Sequence, residues 1–157
     1  MTDNLTIRPV NKNDEEIMWQ MLYYAAHMNE ENSKTVDDAK TDSFLRRYVE
    51  NWGKPDDLGL IAELDGSAVG AVWLRLFDGT IYPELATAVL PNALAKGIKT
   101  QLMTQIIAAS KNRWEGIMLS VRSDNPAYHL YERMGFETVR ELTNRVGTAS
   151  HEMLLNL

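Results

Sequence analysis

Two segments of the chain carry residues whose types and spacing could do chemistry. The first, from Val89 to Thr100 (VLPNALAKGIKT), places a glycine where a helix begins, after a strand that a proline ends. The second, from Asn125 to Phe136 (NPAYHLYERMGF), is a short helix that carries Tyr131 and ends at Gly135. Phosphate groups bind at exposed helix starts, because the first four N–H groups of a helix have no partner within it. The two segments together indicate a slot for a phosphate-bearing ligand beside a phenol.

Hydrophobic periodicity predicts the elements that must position these segments. Strands are expected at residues 5–10, 61–64, 67–77, 81–90, 116–121, 137–146 and 151–157, with the last two antiparallel. Helices are expected from a cap at Asp14 to about residue 28, and at 37–50, 98–111 and 126–134, with a polar loop at 29–36. Asp65-Gly66 is typical of a two-residue type I′ hairpin turn. The pattern predicts one α/β domain over residues 1–157.

Apolar spacing also predicts which helix faces meet the core. In the first helix the core face is expected to consist of Ile17, Met21, Tyr24 and Met28. In the third helix the buried stripe is expected to consist of Leu102, Ile106 and Ala109. The aromatic residues Trp19, Tyr23 and Trp52 either line a pocket or pack between the first two helices.

Composition narrows the class of protein. The chain has 157 residues, of which 45% are hydrophobic, and no apolar run reaches the ~20 residues needed to cross a bilayer. It has no cysteine, which excludes disulfides and thiolate chemistry, and its first residues lack the features of a secretion signal, so a cytoplasmic location is expected. The net charge of −6 argues against nucleic acid as a partner and is compatible with a cationic substrate such as an amine.

Several motifs resemble one family. These are Val89-x-Pro91, the Lys96-Gly97-Ile98 turn that opens a helix, and Asn125…Leu130-Tyr131-Glu132-Arg133-x-Gly135-Phe136. Together they resemble the GCN5-related N-acetyltransferase (GNAT) family, and the order of elements over almost the whole chain is similar too. The resemblance implies a mixed, mostly antiparallel twisted sheet of about seven strands flanked by about four helices. It also implies a splay between the fourth and fifth strands.

The resemblance implies an N-acetyltransferase that transfers the acetyl group of acetyl-CoA to a primary amine by direct attack in a ternary complex. A catalytically weak or inactive acyl-CoA-binding or regulatory module of the same fold is the alternative. The implied partner is a small-molecule or peptide amine, with no nucleic acid, no membrane and no metal, and a homodimer is left open. The implied cofactor-binding residues are Val89, Leu94, Ala95, Lys96, Gly97, Lys99, Thr100 and Asn125.

Tyr131 and Glu84 are the implied catalytic residues. When an amine attacks the acetyl carbonyl, a thiolate leaves, and the phenol of Tyr131 could protonate it. Glu84, expected in mid-strand and partly buried, could deprotonate the amine directly or through water. Each residue also has a structural alternative, since Tyr131 could be a core tyrosine with a satisfied hydroxyl and Glu84 a surface residue.

The phosphate turn departs from the family pattern, which is Arg/Gln-x-x-Gly-x-Gly/Ala. Leu94 replaces the leading Arg or Gln, and Lys99 replaces the second small residue. The Lys99 side chain could crowd the pyrophosphate, or its ammonium could pair with it, and both alternatives stay open. Acidic residues at 29–33 and at Asp56 and Asp57 are a hint of a cationic acceptor.

Overall fold

The structure is a computed structural model that describes residues 4–31, 34–143 and 147–157, with only the backbone at residues 95 and 96. Within these ranges, strands β1 to β7 span Leu5–Pro9, Leu58–Leu64, Ser67–Arg75, Glu84–Val89, Gly116–Arg122, Glu137–Thr143 and Ala149–Asn156. Helices α1 to α4 span Glu15–Ala25, Val36–Thr41, Ile98–Ser110 and Ala127–Arg133. Short 3-10 helices occupy Lys12–Asp14, Met28–Glu30, Arg46–Tyr48 and Pro91–Lys96. Among the described helices, none has the length and apolarity that a membrane span requires.

The strands form one open, mixed sheet in the order β1-β2-β3-β4-β5-β7-β6. The pairs β1–β2, β2–β3, β5–β7 and β6–β7 are antiparallel, whereas β4 is parallel to β5, with Glu84 opposite Met118. This seven-stranded, mostly antiparallel sheet with four helices confirms the predicted fold class. The predicted splay would begin just after such a short parallel pairing, and the course of the two strands beyond it stays a prediction.

The chain divides into two compact units. One comprises residues 1–75 with 86–106, and the other comprises residues 76–85 with 107–157. In the first unit the Leu90 amide donates to the Val69 carbonyl at 2.7 Å, and the Thr87 hydroxyl donates to the Ala71 carbonyl at 2.8 Å. The later residue of β4 thus bonds the earlier residue of β3, so β3 and β4 run antiparallel. That residues 1–157 form a single domain stays a prediction.

Local predictions held where short-range chemistry decides the conformation. Asp65 and Gly66 have φ values of 51° and 86°, and positive φ at both central residues is what a type I′ turn requires. Helix α3 begins at Ile98 as predicted and ends at Ser110, one residue early. Its buried face includes Leu102 and Ile106, but Ala109 is exposed and Ser110 is buried instead.

The first two helices differ from the prediction. Asp14 precedes α1 but makes no capping bond to it, because its carboxylate accepts hydrogen bonds from Arg8 at 2.7 and 2.9 Å and from the Asn11 amide at 2.8 Å. The hydrogen bonds from Arg8 hold the pKa of Asp14 below its ordinary value. On α1 the buried residues are Met18, Trp19, Met21 and Leu22, whereas Ile17 and Tyr24 are only half-buried. The predicted core face was therefore wrong in part, since α1 contacts both α2 and β3.

Helix α2 and strand β4 are shorter than predicted. Helix α2 ends at Thr41 because the Asp42 carboxylate accepts the amides of Phe44 and Leu45 at 2.9 and 3.0 Å, which competes with the helical bonding pattern. Strand β4 begins at Glu84 rather than residue 81. The Thr80 amide and hydroxyl both bond the Phe77 carbonyl, so the chain still turns there.

Strand β6 forms an edge of the sheet. All seven of its residues are exposed, including the apolar Val139 and Leu142. Its register against β7 shifts between Thr138 and Arg140, and Arg140 pairs across the strands with Glu152 at 3.1 Å. The predicted strand at 137–146 is present from Glu137 to Thr143, and residues 144–146 lie outside the described residues.

A buried arginine at the end of β3 fixes the irregular segment before β2. The Arg75 guanidinium makes two hydrogen bonds to the Asp57 carboxylate, at 3.0 and 2.9 Å, and both side chains are at most 3% exposed. It also donates to the carbonyls of Arg47 at 2.9 Å and Glu50 at 2.6 Å. The Asp57 carboxylate in turn accepts the amides of Gly53 and Lys54, each at 2.9 Å. This ion pair therefore supplies hydrogen-bond partners to four main-chain groups of the segment before β2.

Replacing Arg75 by Met is expected to lower the free energy of unfolding by about 3–5 kcal/mol, because it leaves the Asp57 carboxylate buried without its counter-ion. Urea unfolding followed by circular dichroism measures the change. Arg46→Met is the control, since the Arg46–Glu50 pair is exposed and its loss should cost at most about 1 kcal/mol. Equal losses in the two variants would contradict a special role for Arg75.

The same pair predicts how stability depends on pH. Burial alone would raise the pKa of Asp57, but the bonds from Arg75, Gly53 and Lys54 outweigh it and the pKa lies below its ordinary value. The stabilisation is therefore complete above the pKa of an unfolded aspartate and is lost as the pH falls through the lower, folded value. Unfolding midpoints measured from pH 7 downward should fall less steeply in Asp57→Asn than in the unsubstituted protein.

Candidate active site

Helix α4 begins with bonds to Asn125. The Asn125 side-chain oxygen accepts the Ala127 amide at 2.9 Å, and its main-chain carbonyl accepts the Tyr128 amide at 3.0 Å. Pro126 between them has helical dihedral angles of −58° and −22°, as expected of a proline at a helix start. The predicted cap is confirmed. A bond from the Asn125 side chain to a coenzyme stays a prediction, for which its two N–H groups are the possible donors.

The end of α4 forms a Schellman motif. The Phe136 amide donates to the Tyr131 carbonyl and the Gly135 amide to the Glu132 carbonyl, both at 3.0 Å. Gly135 has a φ of 105°, which side-chain-bearing residues rarely adopt. The apolar contact that accompanies such motifs is present, since the rings of Phe136 and Tyr131 lie 6.0 Å apart. This ending fixes the helix turn that carries Tyr131.

Tyr131 has a buried ring and an open hydroxyl. The residue is 5% exposed, and burial raises the pKa of its phenol well above the ordinary value. In the described part of the chain its hydroxyl has no hydrogen-bond partner, and no fully enclosed side-chain oxygen there lacks one. The hydroxyl oxygen therefore keeps some solvent-accessible surface. A phenol in this setting keeps its proton at neutral pH and can donate it to a group that comes within hydrogen-bond distance.

Glu84 lies at the first position of β4 rather than in mid-strand as predicted, because the strand starts late. Its side chain is half-buried, which agrees with the expected partial burial. The position is fixed by the parallel pairing with Met118, whose amide donates to the Pro83 carbonyl at 2.9 Å. Glu84, Asn125 and Tyr131 all belong to the same compact unit.

The predicted phosphate turn lies in the other unit. The 3-10 helix Pro91–Lys96 leads into Gly97, whose φ of 70° is left-handed, and the Gln101 amide donates to the Gly97 carbonyl at 3.3 Å as α3 begins. Apart from its chain neighbours, no atom of the described residues lies within 4 Å of a Cβ built on Gly97, so the backbone there is open on its outer side. The main chain is thus open at Gly97, directly before the first amides of α3, which have no partner within the helix.

The side chains of this turn differ in their settings. Leu94 is 60% exposed and Thr100 is exposed, whereas Val89, at the end of β4, is buried. The side chains of Ala95 and Lys96 lie outside the described residues. Gly70 on β3 passes close to β4, because a Cβ there would lie 3.1 Å from Cγ2 of Val89 and 3.2 Å from the Ala88 carbonyl oxygen. Val89 is thus held against β3 at a point where only glycine fits closely.

Lys99 occupies the second position of α3 and is half-buried. Burial lowers the pKa of its ammonium group. Among the described residues the ammonium has no carboxylate or hydrogen-bond partner. It is therefore a partly desolvated cation with nothing in the described part of the chain to balance it.

The aromatic and acidic candidates have structural roles. Trp19 is buried in α1, the Tyr23 hydroxyl donates to the Lys34 carbonyl at 3.4 Å, and the Trp52 ring lies 5.3 Å from the Arg75 guanidinium. Asp57 is committed to Arg75, so the hint that it would attract a cationic acceptor was wrong. Residues 32 and 33 of the other acidic stretch lie outside the described residues. The role of Arg75 was not predicted, although an arginine at the end of the apolar strand SAVGAVWLR indicates a buried charge that needs a partner.

Comparison with known proteins identifies the class. The sequence profile described as the acetyltransferase (GNAT) family matches residues 19–136. The chain therefore belongs to the GNAT family of acetyltransferases, and it is an N-acetyltransferase that uses acetyl-CoA as acyl donor. No curated protein matches the sequence.

Solved structures share the fold at low identity. A spermidine N-acetyltransferase from Vibrio cholerae, in complex with CoA and spermine, has a TM-score of 0.68 at 20% identity, covering 97% of this chain and 95% of that one. A candidate acetyltransferase from Salmonella typhimurium with its cofactor acetyl-CoA has a TM-score of 0.71 at 20% identity, covering 98% and 94%. A candidate acetyltransferase from Acinetobacter baylyi has a TM-score of 0.78 at 12% identity, covering 100% and 95%.

Gly135→Ala tests the ending of α4. An alanine must adopt a φ of 105°, and its Cβ would lie 3.1 Å from Cδ1 of Leu155, so we expect the free energy of unfolding to fall by about 1–3 kcal/mol. Gly147→Ala is the matched control, with a positive φ but open space around its Cβ, and should cost about 1 kcal/mol. Thermal and urea unfolding measure both changes, and a smaller loss at 135 than at 147 would contradict this account.

Proposed function

We propose that the protein transfers the acetyl group of acetyl-CoA to the primary amine of a small molecule or peptide, by direct attack in a ternary complex. The observation that carries the proposal is the Tyr131 side chain, whose ring is buried and whose hydroxyl has no hydrogen-bond partner in the described part of the chain. A phenol of this kind suits a reaction that expels a thiolate. It does not suit a core role, because a core tyrosine normally has a hydrogen-bonded hydroxyl.

Each proton in the reaction has a proposed carrier. Glu84 takes a proton from the ammonium form of the acceptor, directly or through water, and the neutral amine attacks the thioester carbonyl. A main-chain amide near Val89 polarises the carbonyl oxygen as negative charge develops on it. The C–S bond then breaks, the departing thiolate takes the proton of Tyr131, and the second proton that the attacking nitrogen loses restores the Tyr131 phenol, directly or through water. The products are an N-acetylated amine and free CoA.

Coenzyme binding is proposed at the phosphate turn. The amides from Leu94 to Thr100, with Gly97 open on its outer side, would bind the pyrophosphate at the start of α3. Val89 and Asn125 would contact the pantetheine arm.

The charge of the protein supports a cationic acceptor, since the net charge is −6, and the Vibrio cholerae protein of the same fold binds spermine. We therefore propose a polyamine or another multiply charged amine as the first acceptor to test, and a homodimer stays an expectation.

Tyr131→Phe is expected to lower kcat by about 10²-fold or more with little change in the affinity for CoA, because it removes only the proton donor. Release of free thiol from acetyl-CoA, in the presence of a panel of amines, measures the rate. Tyr128→Phe, on the same helix, is the control and should leave the rate within about two-fold. An unchanged rate in Tyr131→Phe would remove this residue from the mechanism.

Glu84→Gln is expected to lower kcat/KM by roughly 10-fold or more and to weaken the rise of activity with pH, because the amide cannot accept a proton. Glu137→Gln is the matched control, since Glu137 is also the first residue of a strand. A pH–rate profile measured on both variants tests this. If Glu84→Gln keeps the profile of the unsubstituted protein, another base must act.

Binding of CoA with no turnover of any amine would instead favour a regulatory acyl-CoA-binding module.

A further inference from the structure

We infer that Lys99 is the cation that grips the pyrophosphate of the acyl donor, in place of the polar residue that Leu94 displaces from the turn. The inference rests on the proposed function, and it narrows the donor to thioesters that carry the phosphate groups of the coenzyme. Without a phosphate to meet Lys99, a pantetheine thioester of the same reactivity would gain nothing from this contact.

The charge balance of the chain is the first argument. Several other cationic side chains of the described residues have carboxylate partners: Arg8 with Asp14, Lys40 with Glu16, Arg46 with Glu50, Arg75 with Asp57, Arg122 with Asp124 and Arg140 with Glu152. Lys99 lies in the same acidic chain, is partly removed from water, and has no such partner among those residues. A cation that loses hydration without gaining a counter-ion costs stability, so a lysine in this position points to an anion supplied from outside the chain.

The position of Lys99 is the second argument. Side chains on a helix lean toward its N-terminus, so a lysine at the second position of α3 leans past the start of the helix. Met103, one turn further along the same face, is fully buried and holds the helix by that side. The ammonium group and the amides of the first turn, which have no partner within the helix, therefore face the same volume beyond the start of α3. Both attract an anion there.

The turn has room for the anion. Gly97 is exposed and its φ is left-handed, and among the described residues only its chain neighbours come within 4 Å of the position of a Cβ. Leu94, where the family pattern has a polar side chain, offers no hydrogen-bond donor. Lys99, five residues after Leu94 and on the first turn of the helix, thus supplies the polar group that position 94 lacks. If residue 99 only crowded the pyrophosphate, its charge would have no role. An apolar side chain would then fill this half-buried position at a lower desolvation cost.

Lys99→Met is the test, with Lys99→Arg and Lys111→Met as controls. Lys111 is an exposed lysine directly after the other end of α3, so its replacement makes the same change in net charge. Calorimetry with CoA should give a Kd about 10-fold to 100-fold higher in Lys99→Met, as expected for a lost charge-assisted hydrogen bond. Lys99→Arg and Lys111→Met should stay within a few-fold of the unsubstituted protein. The Kd of Lys99→Met should also depend less steeply on salt concentration.

Two further readouts separate a binding role from a structural one. The ligand-free Lys99→Met variant should unfold at the same temperature as the unsubstituted protein or a higher one, because a poorly solvated cation has been removed. Its kcat/KM should fall about 10-fold or more with acetyl-CoA and stay within about two-fold with S-acetylpantetheine, which has no pyrophosphate. If Lys99→Met binds CoA as tightly as the unsubstituted protein, or more tightly, the inference is wrong while the proposed function stands. If the unsubstituted protein does not bind CoA, the proposed function itself fails.

Discussion

The hydrogen bonds that close the two ends of α4 are the constraint on which the candidate catalytic group depends. A helix of seven residues is too short to persist alone. Asn125 satisfies an amide at its start, and the left-handed Gly135 lets Phe136 bond back to the Tyr131 carbonyl at its end. The Tyr131 ring is thereby pinned against Phe136 while its hydroxyl stays open. The reactive atom is positioned by backbone chemistry rather than by a bond of its own, which leaves the phenol available to a substrate.

Two cations at helix and strand ends illustrate how the chain divides its charges between folding and binding. Arg75 is buried and meets four acceptor contacts from Asp57, Arg47 and Glu50, so its charge is committed to holding a loop. Lys99 is also partly buried, yet no acceptor among the described residues bonds to its ammonium group. Both cations lose hydration on folding. The charge of Arg75 is balanced within the fold, whereas the charge of Lys99 is left for a ligand.

Sequence alone predicted the features that nearest neighbours determine. The Asp65-Gly66 turn, the start of α3 after Gly97 and both ends of α4 follow from residues within a few positions of one another, and the structure has them. Competition between local bonds was harder to foresee, as at Asp42, which ends α2 by binding amides that a longer helix would use. Long-range partners could not be predicted, so Asp57 is expected from the sequence to favour a cationic acceptor, whereas in the structure it binds Arg75, 18 residues further along the chain. The roles of Glu84 and Lys99 depend on such distant surroundings, and they are proposals for that reason.

The edge strand β6 has a consequence for how the protein behaves when it is crowded. An edge strand offers unpaired main-chain groups to any other extended segment, and Val139 and Leu142 would add apolar contacts to such a stack. The irregularity between Thr138 and Arg140 interrupts the spacing of those groups, and Arg140 and Glu141 place charges in the middle of the strand. Open-ended growth of chains into cross-β fibrils is thereby discouraged at the margin of the molecule where it would most readily begin.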